Sequence, residues 1–144
     1  MGNYEIHKEV HPTPSLIVRH IGQGCKERVE VIEYTLTLPV PPSANKYWIY
    51  TGNRVATSPE AKAYKQAVKL LSPVTIITGN VAVNVSVFRP AKRGDLDNYL
   101  KVMLDALEGV LYENDNQITE IHAFRYDDKE NPRVELVAYE DLDD

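Results

Sequence analysis

Asn80 to Phe88, NVAVNVSVF, alternates valine with small or polar residues, and Arg89-Pro90 ends the run. A period of two places Val81, Val83, Val85 and Val87 on one face of a strand, and that face must be buried. A few residues later the apolar period lengthens. Leu96, Leu100, Met103, Leu104 and Leu107 recur at helical spacing, and Gly109 stands where a helix would stop. A strand that buries one face, followed by an amphipathic helix, requires a sheet with helices packed on it.

The rest of the chain adds to that layer. Tyr-Thr-Leu-Thr-Leu, Tyr34 to Leu38, reads as a half-buried strand, and the prolines of PVPPSANKYW then break it. IYTGNRVAT reads as a small hairpin around Gly52-Asn53. Ser58-Pro59-Glu60 starts a helix, with Ser58 as N-cap and Pro59 at the first helical position. QITEIHAFRY and RVELVAY read as two further strands joined by a polar turn. The expected class is α/β (α+β): one domain with a mixed sheet of about four strands, two helices against it, and the order β-α-β-α-β-β. Residues 1–30 read as an N-terminal extension without a defining pattern. Within it Leu16 to Ile21 fits a short strand that Gly22-Gln23-Gly24 can turn back. Residues 31–140 form the domain, and residues 141–144 are an acidic tail.

Several function classes are excluded. No apolar run approaches the roughly 18 residues of a membrane span, and the start lacks the regions of a signal peptide. Cys25 is alone, which rules out an internal disulfide and points to a reducing, cytoplasmic setting. His7, His11 and His20 show no metal-ligand spacing. There is no glycine-rich phosphate loop, and YENDNQITE lacks the glycine and glutamate of a calcium hand.

The net charge is −5, yet the segment from Lys46 to Arg93 holds eight cations and one acid, a net of +7. The remaining residues carry 8 basic and 20 acidic side chains, a net of −12. Lys62, Lys65 and Lys69 fall on one side of the first helix, while Arg89, Lys92 and Arg93 lead into KRGDLDNYLK. Such a segment is either a solvated face or a nucleic-acid footprint.

Asp95 and Asp97 open the second helix, Lys101 follows Asp97 at i+4, and Asp105 follows Lys101 at i+4. One reading is structural: an N-cap, a carboxylate at the positive helix end and a surface ion-pair ladder. The other is chemical. Two aspartates near a helix start, with Asp115 from a later loop, supply ionised oxygen ligands for a hard cation such as Mg²⁺. Lys101 could then meet charge developing on a phosphate oxygen.

RGDLDNYLKVMLDAL with VLYENDNQI resembles the RusA family of Holliday junction resolvases of bacteria and their phages. LPVPPSANKYW and SPEAKAYKQAV resemble that family's first strand, loop and helix, so the resemblance covers about Tyr34 to Tyr139. It implies that residues 31–140 are a RusA-like nuclease domain: a small homodimeric endonuclease that needs Mg²⁺, with Mn²⁺ able to substitute, and cuts four-way DNA junctions symmetrically. It implies that Asp95, Asp97 and Asp115 are the catalytic, metal-holding aspartates and Lys101 the catalytic lysine. It further implies that Ser43, Asn45, Lys46 and Tyr47 approach DNA. The alternatives are a non-catalytic protein that binds branched DNA, or a metal-dependent nuclease acting on flaps or other branched DNA.

Overall fold

The computed structural model describes residues 14–21, 27–72, 76–92 and 94–141, with side chains from residue 33 onward. Arg93, Cys25, His7, His11 and the tail from residue 142 lie outside the described residues, as does the His20 side chain. Five strands form one mixed sheet: β1 (Pro14–Ile21), β2 (Glu27–Leu38), β5 (Val81–Arg89), β6 (Ile118–Asp127) and β7 (Arg133–Glu140), in the order β1-β2-β7-β5-β6. A separate hairpin pairs β3 (Trp48–Thr51) with β4 (Arg54–Thr57) around Gly52, whose φ is +60°. The helices are a single turn, α1 (Ala44–Tyr47), then α2 (Pro59–Leu71) and α3 (Leu96–Leu107). The mixed sheet with two long helices is the architecture expected. The fifth strand is β1, which pairs antiparallel with β2.

The valine alternation does what its period requires. Val81, Val83, Val85 and Val87 are fully buried against Tyr64, Val68, Met103 and Leu107 of the two helices. Each such valine contributes roughly 1.5–3 kcal/mol of burial. The opposite face of β5 stays partly open, with Asn84 exposed and Phe88 stacked on Tyr126 at 5.0 Å. α2 begins at Ser58, whose Oγ accepts from the Ala61 N–H at 3.1 Å.

β5 and β6 run parallel, Val81 lying beside Ile118 and Arg89 beside Asp127. The chain between them must therefore run back along the sheet, and α3 is that return. Asp95 leaves the end where β5 and β6 stop, whereas Asp115 enters at the end where they start. α3, 12 residues or about 18 Å long, separates them.

Candidate active site

Asp95 occupies the N-cap position of α3, at φ −84° and ψ 148°, but its carboxylate accepts no cap hydrogen bond. It is exposed, as is Asp97 in the first turn. The approach to Asp95 is held from behind. Arg89, only 7% exposed, pairs through Nε with Asp127, and its Nη1 donates to the Gly94 carbonyl at 3.1 Å. Gly94 has φ +89°, and a Cβ there would lie 2.7 Å from the Tyr99 hydroxyl. The positive φ strains any other residue at 94, and the Tyr99 ring would have to move to admit a side chain. The Arg89 pair holds the Asp127 carboxyl below its ordinary range, mainly through the hydrogen bond and then through charge.

Asp115 begins a single 3₁₀ turn, Asp115–Gln117, capped by Asn114. Gln117 is the organiser. Its Oε1 accepts from the Glu113 and Asn114 N–H groups at 2.8 and 2.9 Å. Its Nε2 donates to the Ile77 and Gly79 carbonyls at 2.9 and 2.8 Å. Buried Tyr112 lies behind the turn and donates to the Leu104 carbonyl at 2.5 Å. Burial, then the charges of Asp115, Glu108 and Asp105, push its hydroxyl pKa upward.

Two depressions flank α3. A groove of about 590 Å³ runs between the loop bearing Ser43, Asn45 and Lys46 and the start of α3 at Gly94 and Asn98. A cleft of about 370 Å³ is lined by Trp48, Lys101, Asp105 and Asp115, with Leu104, Ile118 and Ile121. The structure thus brings Lys101 and Asp115 together and keeps Asp95 and Asp97 nearer the other end of the helix. Among the described residues, no three carboxylate, imidazole or thiol side chains stand close enough to hold one ion. The donor chemistry still fits Mg²⁺, which prefers oxygen ligands and keeps most of its waters, taking only one or two carboxylates. Asp95, free of capping duty two residues from Asp97, offers such a pair.

Two expected DNA contacts are placed elsewhere. Tyr47 is fully buried and donates to Asp105 Oδ2 at 2.6 Å. Arg89 is buried and engaged behind Asp95, so its charge steadies the turn instead of facing a phosphate. Ser43, Asn45, Lys46, Lys62, Lys65, Lys69 and Lys92 are all exposed. The three α2 lysines line neither depression. The ion-pair ladder of the structural reading is absent along α3: among the described residues Lys101 forms no ion pair with Asp97 or Asp105, and Asp105 turns to Tyr47. Sequence reasoning missed Gln117, Trp48 and the partner of Asp105. The one visible trace was Asp105 in line with Asp97 and Lys101.

The family model for endodeoxyribonuclease RusA matches residues 39–138. An uncharacterized protein, YqaN of Bacillus subtilis (strain 168), is 33% identical over 107 residues, 56% of this chain and 75% of its own length. The crossover junction endodeoxyribonuclease rusA of Enterobacteria phage HK97 is 32% identical over 99 residues, 65% of this chain and 82% of its own. The crossover junction endodeoxyribonuclease RusA of Escherichia coli (strain K12) is 28% identical over 113 residues, 74% and 94% of the two chains. The family match takes in the β3–β4 hairpin, both long helices, β5, β6, most of β7 and every carboxylate placed above, and the chain belongs to the RusA endodeoxyribonuclease family.

Proposed function

We propose that this chain is a Mg²⁺-dependent endodeoxyribonuclease that resolves four-way DNA junctions as a homodimer in the cytoplasm. The family match carries the reaction class. The observation that carries the chemistry is the free carboxylate of Asp95 at a helix start. A helix that forgoes its cap bond loses about 1 kcal/mol, and a buried arginine holds that carboxylate's backbone in place.

Asp95 and Asp97 would hold the divalent cation, with Mn²⁺ as a substitute, and Asp115, at the other end of α3, would act with Lys101 at the cleft they share. When bound, the cation supplies a nucleophilic water near neutral pH and charge stabilisation at phosphorus. Lys101 neutralises charge developing on a non-bridging phosphate oxygen. Ser43, Asn45 and Lys46, at the rim of the groove, take the DNA backbone toward the α3 start. Lys62, Lys65, Lys69, Lys92 and Arg93 add the long-range attraction that makes binding salt-dependent. Two active sites facing two strands require a two-fold dimer, since a four-way junction has approximate two-fold symmetry.

The test uses synthetic four-way junction, flap and linear duplex, each with Mg²⁺ or with chelator. Paired, symmetric incisions in the junction alone, only with Mg²⁺, are expected. Preferential cutting of flaps would move the substrate assignment. Junction binding without any cutting would leave a non-catalytic binding protein.

A further inference from the structure

We propose that Tyr47 and Asp105 are positioning residues for Lys101, closing with Trp48 a ring of side chains that fixes the lysine ammonium over the cleft it shares with Asp115. The proposal rests on the role given to Lys101 above.

The ring is read from three contacts and one helical spacing. Asp105 and Lys101 stand one turn apart on α3, a spacing at which an ion pair is the ordinary outcome. Here Asp105 Oδ2 instead accepts from the Tyr47 hydroxyl at 2.6 Å, across 58 residues of sequence. The Tyr47 ring meets Trp48 edge-on, with centroids 4.6 Å apart and planes at 67°. The Lys101 ammonium lies 5.2 Å from the centre of the Trp48 ring, within cation–π range. The path runs Asp105, Tyr47, Trp48, Lys101 and closes through the helix backbone.

Each member has a reason to be there. A fully buried phenol needs an acceptor, and a carboxylate is the stronger kind. Burial first, then the bond to Asp105 and its charge, push the Tyr47 pKa upward, so the hydroxyl stays a donor throughout the working pH range. Lysine has a long side chain that samples many rotamers unless something holds it. Trp48 supplies that hold, and Tyr47 fixes Trp48. Trp48, Lys101, Asp105 and Asp115 all line the one cleft, so a displaced indole moves the ammonium relative to Asp115. The same segment bears Ser43, Asn45 and Lys46, which places the DNA-facing loop and the lysine's support on one short piece of chain.

Trp48 is the only tryptophan, so its emission reports the ring without any turnover. Lys101→Met sets the reference shift for loss of the ammonium. Tyr47→Phe and Asp105→Ala should shift emission in the same direction by at least half as much. Asp105→Asn should stay near wild type, because its amide oxygen still accepts from the phenol. Single-turnover junction cleavage in Mg²⁺ should fall about tenfold or more in Tyr47→Phe and Asp105→Ala, the scale of a misplaced catalytic group. Junction affinity should remain within about threefold. Wild-type emission and rate in Tyr47→Phe would overturn the proposal, as would Asp105→Asn behaving like Asp105→Ala. If Tyr47→Phe fails to fold, Asp105→Ala against Asp105→Asn decides. If the wild-type protein cuts no junction, the nuclease reading falls while the emission series still decides the ring.

Discussion

The two long helices start with the same backbone device and use it in opposite ways. Ser58 before α2 and Asp95 before α3 both hold extended φ/ψ, −71°/164° and −84°/148°. Ser58 is buried, accepts from the Ala61 N–H, and donates from the same oxygen to the Lys46 carbonyl at 2.5 Å. Asp95 is exposed and its carboxylate caps nothing. A cap that bonds locally is a stability element. A capping residue whose side chain faces solvent, while a buried arginine steadies its backbone, is arranged for something outside the fold. Departures from local consistency are expected where function sits.

The sharpest way to break this contrast is Asp95→Asn. Asn caps as well as Asp, and no cap bond is lost, so the unfolding midpoint should hardly move. Junction cleavage in Mg²⁺ should fall by more than the roughly 100-fold typical of outer-shell partners of a metal. In chelator the mutant should bind junction DNA at least as tightly as wild type, since a like charge near the phosphate is gone. Wild-type cleavage rates would return Asp95 to the role of a surface residue.

The second substitution acts one step behind the carboxylate. Asp127→Asn weakens the tether of Arg89 and loosens the Gly94 turn, and cleavage should drop about 10- to 100-fold. A pH series sharpens it. The Asp127 pKa is depressed in the folded chain, chiefly by the Arg89 hydrogen bond, below its ordinary value of 3.8. Its stabilisation is therefore complete above that value and is lost as pH falls through the lowered one. Asp128, depressed by the Asn131 backbone and then by Arg133, adds to the same acid limb. Wild-type stability should fall with acid below about pH 4, and Asp127→Asn should be less acid-sensitive there. An equal slope in the two proteins, followed by thermal melts, would remove Asp127 from the account.

The smallest effect on chemistry belongs to the other helix. Ser58→Ala should cost about 1–2 kcal/mol in denaturant unfolding. Cleavage per folded molecule should stay within about threefold of wild type. A much larger rate loss would mean that the Ser58 bond to the Lys46 carbonyl serves the site and not only the α2 start.

Local pattern determined much of this protein. The valine period alone sets β5 and its buried face, Ser58-Pro59 sets the start of α2, and the apolar spacing from Leu96 with Gly109 beyond sets α3. These depend on φ/ψ preference and side-chain period within a few residues, which a sequence carries directly. The order β2-β7-β5-β6, with β7 inserted between earlier strands, follows from no such local rule. Nor do the partners of the buried polar groups. Tyr47 meets Asp105, Arg89 meets Asp127, and Gln117 meets Ile77 and Gly79, across 58, 38, 40 and 38 residues respectively. A polar side chain's role is settled by whether packing removes it from water and which acceptor it then finds. Tyr47, a DNA contact by the family resemblance, and Arg89, one by the basic segment it belongs to, became interior ties for that reason, while Asp95 stayed outside with its charge unengaged.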